Sequence, residues 1–186
     1  ASDSSGYVVD EQGIDLELLK QIKEVERARI SEYAARRPSA RFVEGGSVWE
    51  VPGELAFPCA TQNELDEAGA RKLLASGVRA VAEGANMPTT PEVVALLQQA
   101  GVLFAPGKAA NAGGVATSAL EMSQNAARDR WDFEQSEERL HDIMRDVHSA
   151  SYEASERYGR PGDYVLGANT AGFVTVAKAM IDQGVV

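Results

Sequence analysis

Residues 78–105 read VRAVAEGANMPTTPEVVALLQQAGVLFA, and their pattern sets the fold class. Val78 to Ala82 is short and apolar, the pattern of a buried strand. A small-residue polar turn follows, Glu83-Gly84-Ala85-Asn86-Met87-Pro88-Thr89-Thr90. Pro91 to Ala100 then predicts a helix, with proline in its first turn and Gly101 just behind it. Val102-Leu103-Phe104-Ala105 is the next strand. Strands alternating with helices predict an α/β fold with a parallel sheet.

Upstream, residues 15–36 predict an amphipathic helix in which Leu18, Leu19, Ile22 and Val25 recur at helical spacing, ended by Pro38. Arg41-Phe42-Val43 and Leu55-Ala56-Phe57 predict short strands, the second stopped by Pro58. Residues 66–76 predict a helix closed by Gly77. Past Gly107 the pattern turns helical throughout, over residues 112–130, 134–158 and 170–183. In the middle one, Leu140, Ile143, Met144, Val147 and Ala154 form one apolar stripe. The organisation expected is therefore residues 1–133 as one part and 134–186 as C-terminal helices.

Composition narrows the function classes. A length of 186 residues suits one ordinary domain, or a domain with an appendage. No apolar run approaches the roughly 20 residues that span a bilayer, and no signal-peptide pattern opens the chain, so no membrane partner is expected. A single cysteine, Cys59, excludes an internal disulfide and fits a reducing, cytoplasmic location. A formal net charge of −10 opposes nucleic-acid binding. The opening Ala1-Ser2-Asp3-Ser4-Ser5-Gly6 lacks an initiator Met and reads as a strand ending in a turn, so truncation upstream is expected.

Several motifs carry chemistry, each with a plainer alternative. At Ser2, Asp3 and Ser4, a carboxylate can bond a ribose 2′-hydroxyl and short hydroxyls can donate to a 2′-phosphate; an ordinary Asx/Ser turn explains them as well. Lys23, Arg27 and Arg29 are candidate basic partners. Ala60, Thr61 and Gln62 follow a strand and let a ribose approach the backbone, whereas Thr61 or Asn63 as a helix N-cap is the alternative. Cys59 reads as a small buried hydrophobe. Gly84, Ala85 and Asn86 end the next strand, where the Asn amide can bond a nicotinamide ribose or carboxamide, or merely tolerate a left-handed turn. Asn111 precedes Gly113 and Gly114, a helix opening that costs roughly 1 kcal/mol per glycine and so implies close backbone approach or tight packing. Val115 and Ser118 share a face of that helix near its positive end, a setting that suits a dicarboxylate. His141 and His148 read as surface or packing residues, and no metal site is expected.

Taken in order, Ser2–Gly6 (SDSSG), Pro58–Leu65 (PCATQNEL), Ala82–Thr90 (AEGANMPTT), Ala105–Ser118 (APGKAANAGGVATS), Leu120–Arg128 (LEMSQNAAR) and Gly167–Phe173 (GANTAGF) resemble the hexameric glutamate dehydrogenases of the bacterial, NADP-specific type, over essentially the whole chain. The resemblance implies a partial Rossmann-like, doubly wound, mainly parallel sheet, lacking its first βαβ unit and followed by C-terminal helices that pack back on a substrate domain. It implies reversible oxidative deamination of L-glutamate to 2-oxoglutarate and ammonium with NADP(H), NAD being less favoured, in a homohexamer. Under it, Ser2, Asp3 and Ser4 lie near the adenosine ribose and its 2′-phosphate. Ala60, Thr61 and Gln62 line the coenzyme ribose region, Gly84, Ala85 and Asn86 border the nicotinamide ribose, Asn111 meets the nicotinamide end, and Val115 and Ser118 flank the glutamate side chain.

The sequence also departs from the family pattern. The catalytic Lys and Asp, and the lysines that hold the substrate, belong to the absent substrate domain, so no catalytic residue is expected here. No Gly-x-Gly-x-x-Gly loop occurs. Glu26 falls in the region where some relatives carry a lysine for the 2′-phosphate. The isolated chain is therefore expected to bind coenzyme weakly without turnover. Two other readings stand beside this one: a dehydrogenase of branched-chain or aromatic amino acids, and a noncatalytic nucleotide-binding module.

Overall fold

The computed structural model describes residues 1–184; Val185 and Val186, the end of the expected C-terminal helical part, lie outside the described residues. The chain groups into two compact units, one of Ala1–Glu54 with Glu67–Val78, the other of Leu55–Asp66 with the chain from Arg79 onward.

In the first unit, β1 (Ser2–Asp3), β2 (Gly6–Asp10) and β3 (Ala40–Glu44) form an antiparallel sheet in that order, with Val8 opposite Phe42. The strand expected at residues 41–43 is therefore β3, and it pairs antiparallel. Its partner β2 was not anticipated, although Tyr7 and Val8 are buried. Gly6 takes φ +149 and a Cβ there would overlap the Val43 carbonyl oxygen, so the turn from β1 into β2 requires glycine. Val8, Ile22, Ile30 and Tyr33 make the core of this unit. Against it pack α1 (Leu16–Lys20) and α2 (Ser31–Arg36).

The single helix expected over residues 15–36 is broken. After α1 the chain widens into a π turn at Gln21–Val25, Arg27 takes φ +53, and α2 begins afresh. The cause is Asp3. Its carboxylate accepts the Ile30 N–H at 2.9 Å, which a continuous helix would give to the carbonyl four residues back, and Lys23 reaches across to Asp3 and to the Ala28 carbonyl, each at 2.9 Å. A carboxylate and an ammonium thus satisfy the groups that the break frees. Farther on, α3 (Glu67–Ala75) ends at Gly77 with φ +86, as its sequence predicts.

The second unit carries the parallel sheet: β4 (Leu55–Ala56), β5 (Ala80–Ala82) and β6 (Leu103–Ala105), in sequence order. Val81 and Phe104 are buried in it. The helix α4 (Pro91–Gln99) links β5 to β6 and stops at Gly101, φ +77. Beyond β6 come α5 (Gly107–Ala110), α6 (Gly113–Ala127), α7 (Phe133–Arg157) and α8 (Tyr164–Asp182). Asp132 and Gln135 form a reciprocal cap at the start of α7, which sets its first residue. The architecture is α/β and Rossmann-like, with a run of helices behind the parallel strands.

By length and composition α8 is apolar enough to cross a bilayer, which the sequence reading did not anticipate. Its N-terminal end makes the contacts of a packed helix. Gly167 lies against the Ser151 backbone of α7, Asp163 accepts from Gln98 of α4 at 2.9 Å, and Asn169 accepts from Lys108 of α5 at 2.6 Å. Its other face leaves Phe173, Val176 and Met180 exposed.

Candidate functional site

Three small-residue loops leave the carboxyl ends of three adjacent parallel strands, the edge at which doubly wound folds take ligands. The loop after β4 holds Ala60, Thr61 and Gln62, all exposed; the loop after β5 holds Gly84, Ala85 and Asn86; Asn111 closes the short α5 after β6. Backbone bonds tie the first two loops: Gly84 N–H to the Pro58 carbonyl at 2.9 Å, Asn63 N–H to Met87 at 3.0 Å, and Leu65 N–H to Pro88 at 2.9 Å. Asn111 ties the second to the third, its side-chain amide donating to the Ala85 carbonyl at 2.7 Å. The structure thus brings together on one edge the residues that the sequence offered as separate motifs.

Two local alternatives fall away. The left-handed residue after β5 is Met87, φ +48, not Asn86, so backbone strain does not explain the Asn. Neither Thr61 nor Asn63 caps a helix, because α3 begins only at Glu67; Asn63 itself is left-handed, φ +57. Cys59 is exposed rather than buried. It follows the buried Pro58 and lays its sulfur over Gly84, where a Cβ would overlap it. Gly84 is therefore required for the first two loops to close on each other.

Val115 and Ser118 are both exposed on the first turns of α6. The Ser118 hydroxyl donates back to the Gly114 carbonyl at 3.3 Å, and Ala112 gives no side-chain cap, so the first amides of α6 lack side-chain partners. Lys108 points to Asn169, in keeping with a tie between helices rather than a proton-transfer role. An apolar cavity of about 360 Å³ lies elsewhere, beneath β5 and β6, lined by Val81, Phe104, Met144, Val147 and Tyr164. No candidate residue lines it, and His148 at its wall packs on the Tyr152 and Tyr164 rings, a packing role.

The first unit carries the other candidates on the turn between β1 and β2. Asp3 sits under four donors: Ser5 N–H at 2.9 Å and Ser5 Oγ at 2.6 Å on one oxygen, Lys23 Nζ and Ile30 N–H at 2.9 Å on the other. Burial alone would raise its pKa; the Lys23 and Ser5 side chains, with the Ser5 and Ile30 amides, outweigh that and hold it far below the usual carboxylate range. Ser4 is exposed, and the Arg29 guanidinium donates to its hydroxyl at 2.5 Å. Of the three basic candidates, Lys23 is bound to the turn's carboxylate, Arg29 stands at its outer lip, and Arg27 occupies the helix break. Glu26 is drawn off by Arg36, which grips it at 2.6 and 2.8 Å and keeps its carboxyl low.

Comparison with known proteins bears on the family and the fold. The family model for Glutamate/Leucine/Phenylalanine/Valine dehydrogenase matches residues 1–184. The chain is 56% identical over 189 residues to the NADP-specific glutamate dehydrogenase of Escherichia coli, covering all of this chain and 42% of that protein. It is 50% identical to the NADP-specific glutamate dehydrogenase of Helicobacter pylori, covering 43% of it. Among solved structures, glutamate dehydrogenase of Plasmodium falciparum superposes with a TM-score of 0.92 at 42% identity, over 98% of this chain and 40% of that one. The chain therefore spans less than half the length of these relatives.

Proposed function

The chain belongs to the glutamate/leucine/phenylalanine/valine dehydrogenase family, and on that premise we propose that it is the coenzyme-binding C-terminal portion of an NADP-dependent glutamate dehydrogenase. The reaction is the reversible oxidative deamination of L-glutamate to 2-oxoglutarate and ammonium. The observation that carries the reading is the convergence of the three loops at the carboxyl edge of β4, β5 and β6, in a chain similar to proteins named for this activity. The coenzyme supplies the hydride acceptor when bound. Ala60, Thr61 and Gln62 border its ribose, Gly84, Ala85 and Asn86 the nicotinamide ribose, and Asn111 the nicotinamide end. Val115 and Ser118 offer an apolar wall and a hydroxyl to the substrate chain near the positive end of α6, which favours glutamate over an apolar amino acid. The acid–base lysine and its aspartate come from the rest of the longer protein, and the exposed face of α8 packs against that part. Assembly as a homohexamer and a cytoplasmic location belong to the same reading.

The turn of the first unit supports NADP over NAD. Asp3 has all four of its acceptor positions filled and so presents no free anion to a phosphate. Ser4 and Arg29 remain outward as donor and cation, the pair a 2′-phosphate needs. Ser2 lies on the same strand end. In the longer protein, glutamate-dependent reduction should favour NADP⁺ over NAD⁺. Replacing Arg29 with Ala is expected to cut the ratio of the two kcat/KM values by about tenfold, one charge-assisted contact. A ratio that stays put would remove Arg29 from the site, and absence of glutamate-dependent reduction by the parent would defeat the whole reading.

A further inference from the structure

Glu83 directly follows the apolar strand β5 as a charged side chain, and it is only 6% exposed. A carboxylate in such a place must be fully hydrogen-bonded. Its own N–H continues the parallel ladder, donating to the Ala105 carbonyl at 3.1 Å. One carboxylate oxygen accepts the Thr89 N–H at 3.2 Å, at the far end of the loop that bears Asn86. The other accepts the Gly107 N–H at 2.5 Å, the first amide of α5, whose last turn bears Asn111.

The surroundings allow little slack. Gly107 is buried, and a Cβ on it would come within 3.1–3.2 Å of the Ala85 carbonyl, the Asn111 amide and the Glu83 carboxylate together. The Asn111 amide closes the ring by donating to Ala85 at 2.7 Å. Glu83, Ala85, Gly107 and Asn111 therefore interlock, and moving one loop against the other breaks at least one charge-assisted bond.

We propose that Glu83 is a positioning residue: it fixes the Asn86 loop and the Asn111 turn to each other, so that both face the nicotinamide end of the coenzyme in one register. It touches neither coenzyme nor substrate. The inference rests on the coenzyme-binding reading of these loops, and its test separates the two.

The test compares the parent with Glu83→Gln and Glu83→Ala in the full-length protein, by amide hydrogen exchange and by steady-state kinetics with NADP⁺ and glutamate. Glutamine keeps the shape but turns a donor toward one of two N–H groups, so it serves if the alanine variant does not fold. Exchange at Thr89 and Gly107 should rise together, and the NADP⁺ KM should rise about tenfold in Glu83→Gln, with a smaller change in the glutamate KM. Unchanged exchange at both amides overturns the clamp. Raised exchange with an unchanged NADP⁺ KM overturns the positioning role and leaves a purely structural one. A parent without glutamate-dependent activity would instead defeat the functional reading, and the exchange data would still decide whether the clamp exists.

Discussion

Replacing Gly167 with alanine is expected to destabilise the protein by about 3 kcal/mol, the upper range for forcing atoms into a filled contact. The helices α7 and α8 meet on their smallest residues. Ser151 and Ser155 are 3% and 0% exposed, and each buries its hydroxyl by bonding a carbonyl of its own helix, at 2.8 and 2.7 Å. Ser155 Oγ also accepts the Gly162 N–H at 3.1 Å, pinning the connection between the helices. A Cβ on Gly167 would overlap the Ser151 carbonyl oxygen and press on its carbonyl carbon and Cα. These are backbone atoms, so no rotamer change relieves them. In an open helix the same substitution gains roughly 1 kcal/mol of helix propensity, so the sign of the result is itself the test. Urea unfolding with an unchanged or higher midpoint would show that the helices are not in this contact. Because Lys108 on α5 bonds Asn169 of α8, a shift of α8 should also loosen the turn that carries Asn111 and raise the coenzyme KM.

Elements whose burial follows one local period were legible from the sequence. The helices α4 and α7 fall within a residue or so of their expected bounds, since proline and glycine mark the first and one apolar stripe runs along the second. The three loops at the carboxyl edge of β4, β5 and β6 were legible as motifs because they sit where apolar strands stop. What escaped depends on partners distant in sequence. The antiparallel pairing of β2 with β3 joins Val8 to Phe42, and nothing in either segment's pattern states that pairing. The break within residues 15–36 is invisible to helical spacing, because the carboxylate that meets its freed Ile30 N–H stands at position 3. Glu83 stood in plain view inside the motif, yet its two donors are backbone N–H groups 6 and 24 residues further on. A charged residue closing an apolar strand is the signal that would have found it.

Replacing Asp3 with alanine is expected to cost about 3 kcal/mol at pH 7, because it strips a largely buried carboxylate from four donors at once. Its side chain is 13% exposed and Lys23 36%, so the ammonium is left facing a half-buried gap after truncation. The Ile30 N–H loses its acceptor as well. The sign of the pH dependence follows from the depressed carboxyl. The folded-state value lies far below the unfolded one of 3.8, so the contribution is complete above that value and drains as pH falls through and below it. Unfolding of Asp3→Asn, which cannot titrate at this position, should therefore differ most from the parent near pH 7. By pH 3 the gap should be smaller by about 1 kcal/mol. A gap independent of pH would mean that Asp3 is not the ionised centre of the turn. The Asp3→Ala variant should also lose discrimination between NADP⁺ and NAD⁺, since the Asp3 carboxylate ties the turn that bears Ser4 to Lys23 and Ile30, on the stretch that bears Arg29. Lost stability with intact discrimination would separate the turn's role in folding from its role in reading the coenzyme, and would assign the second to Arg29 alone.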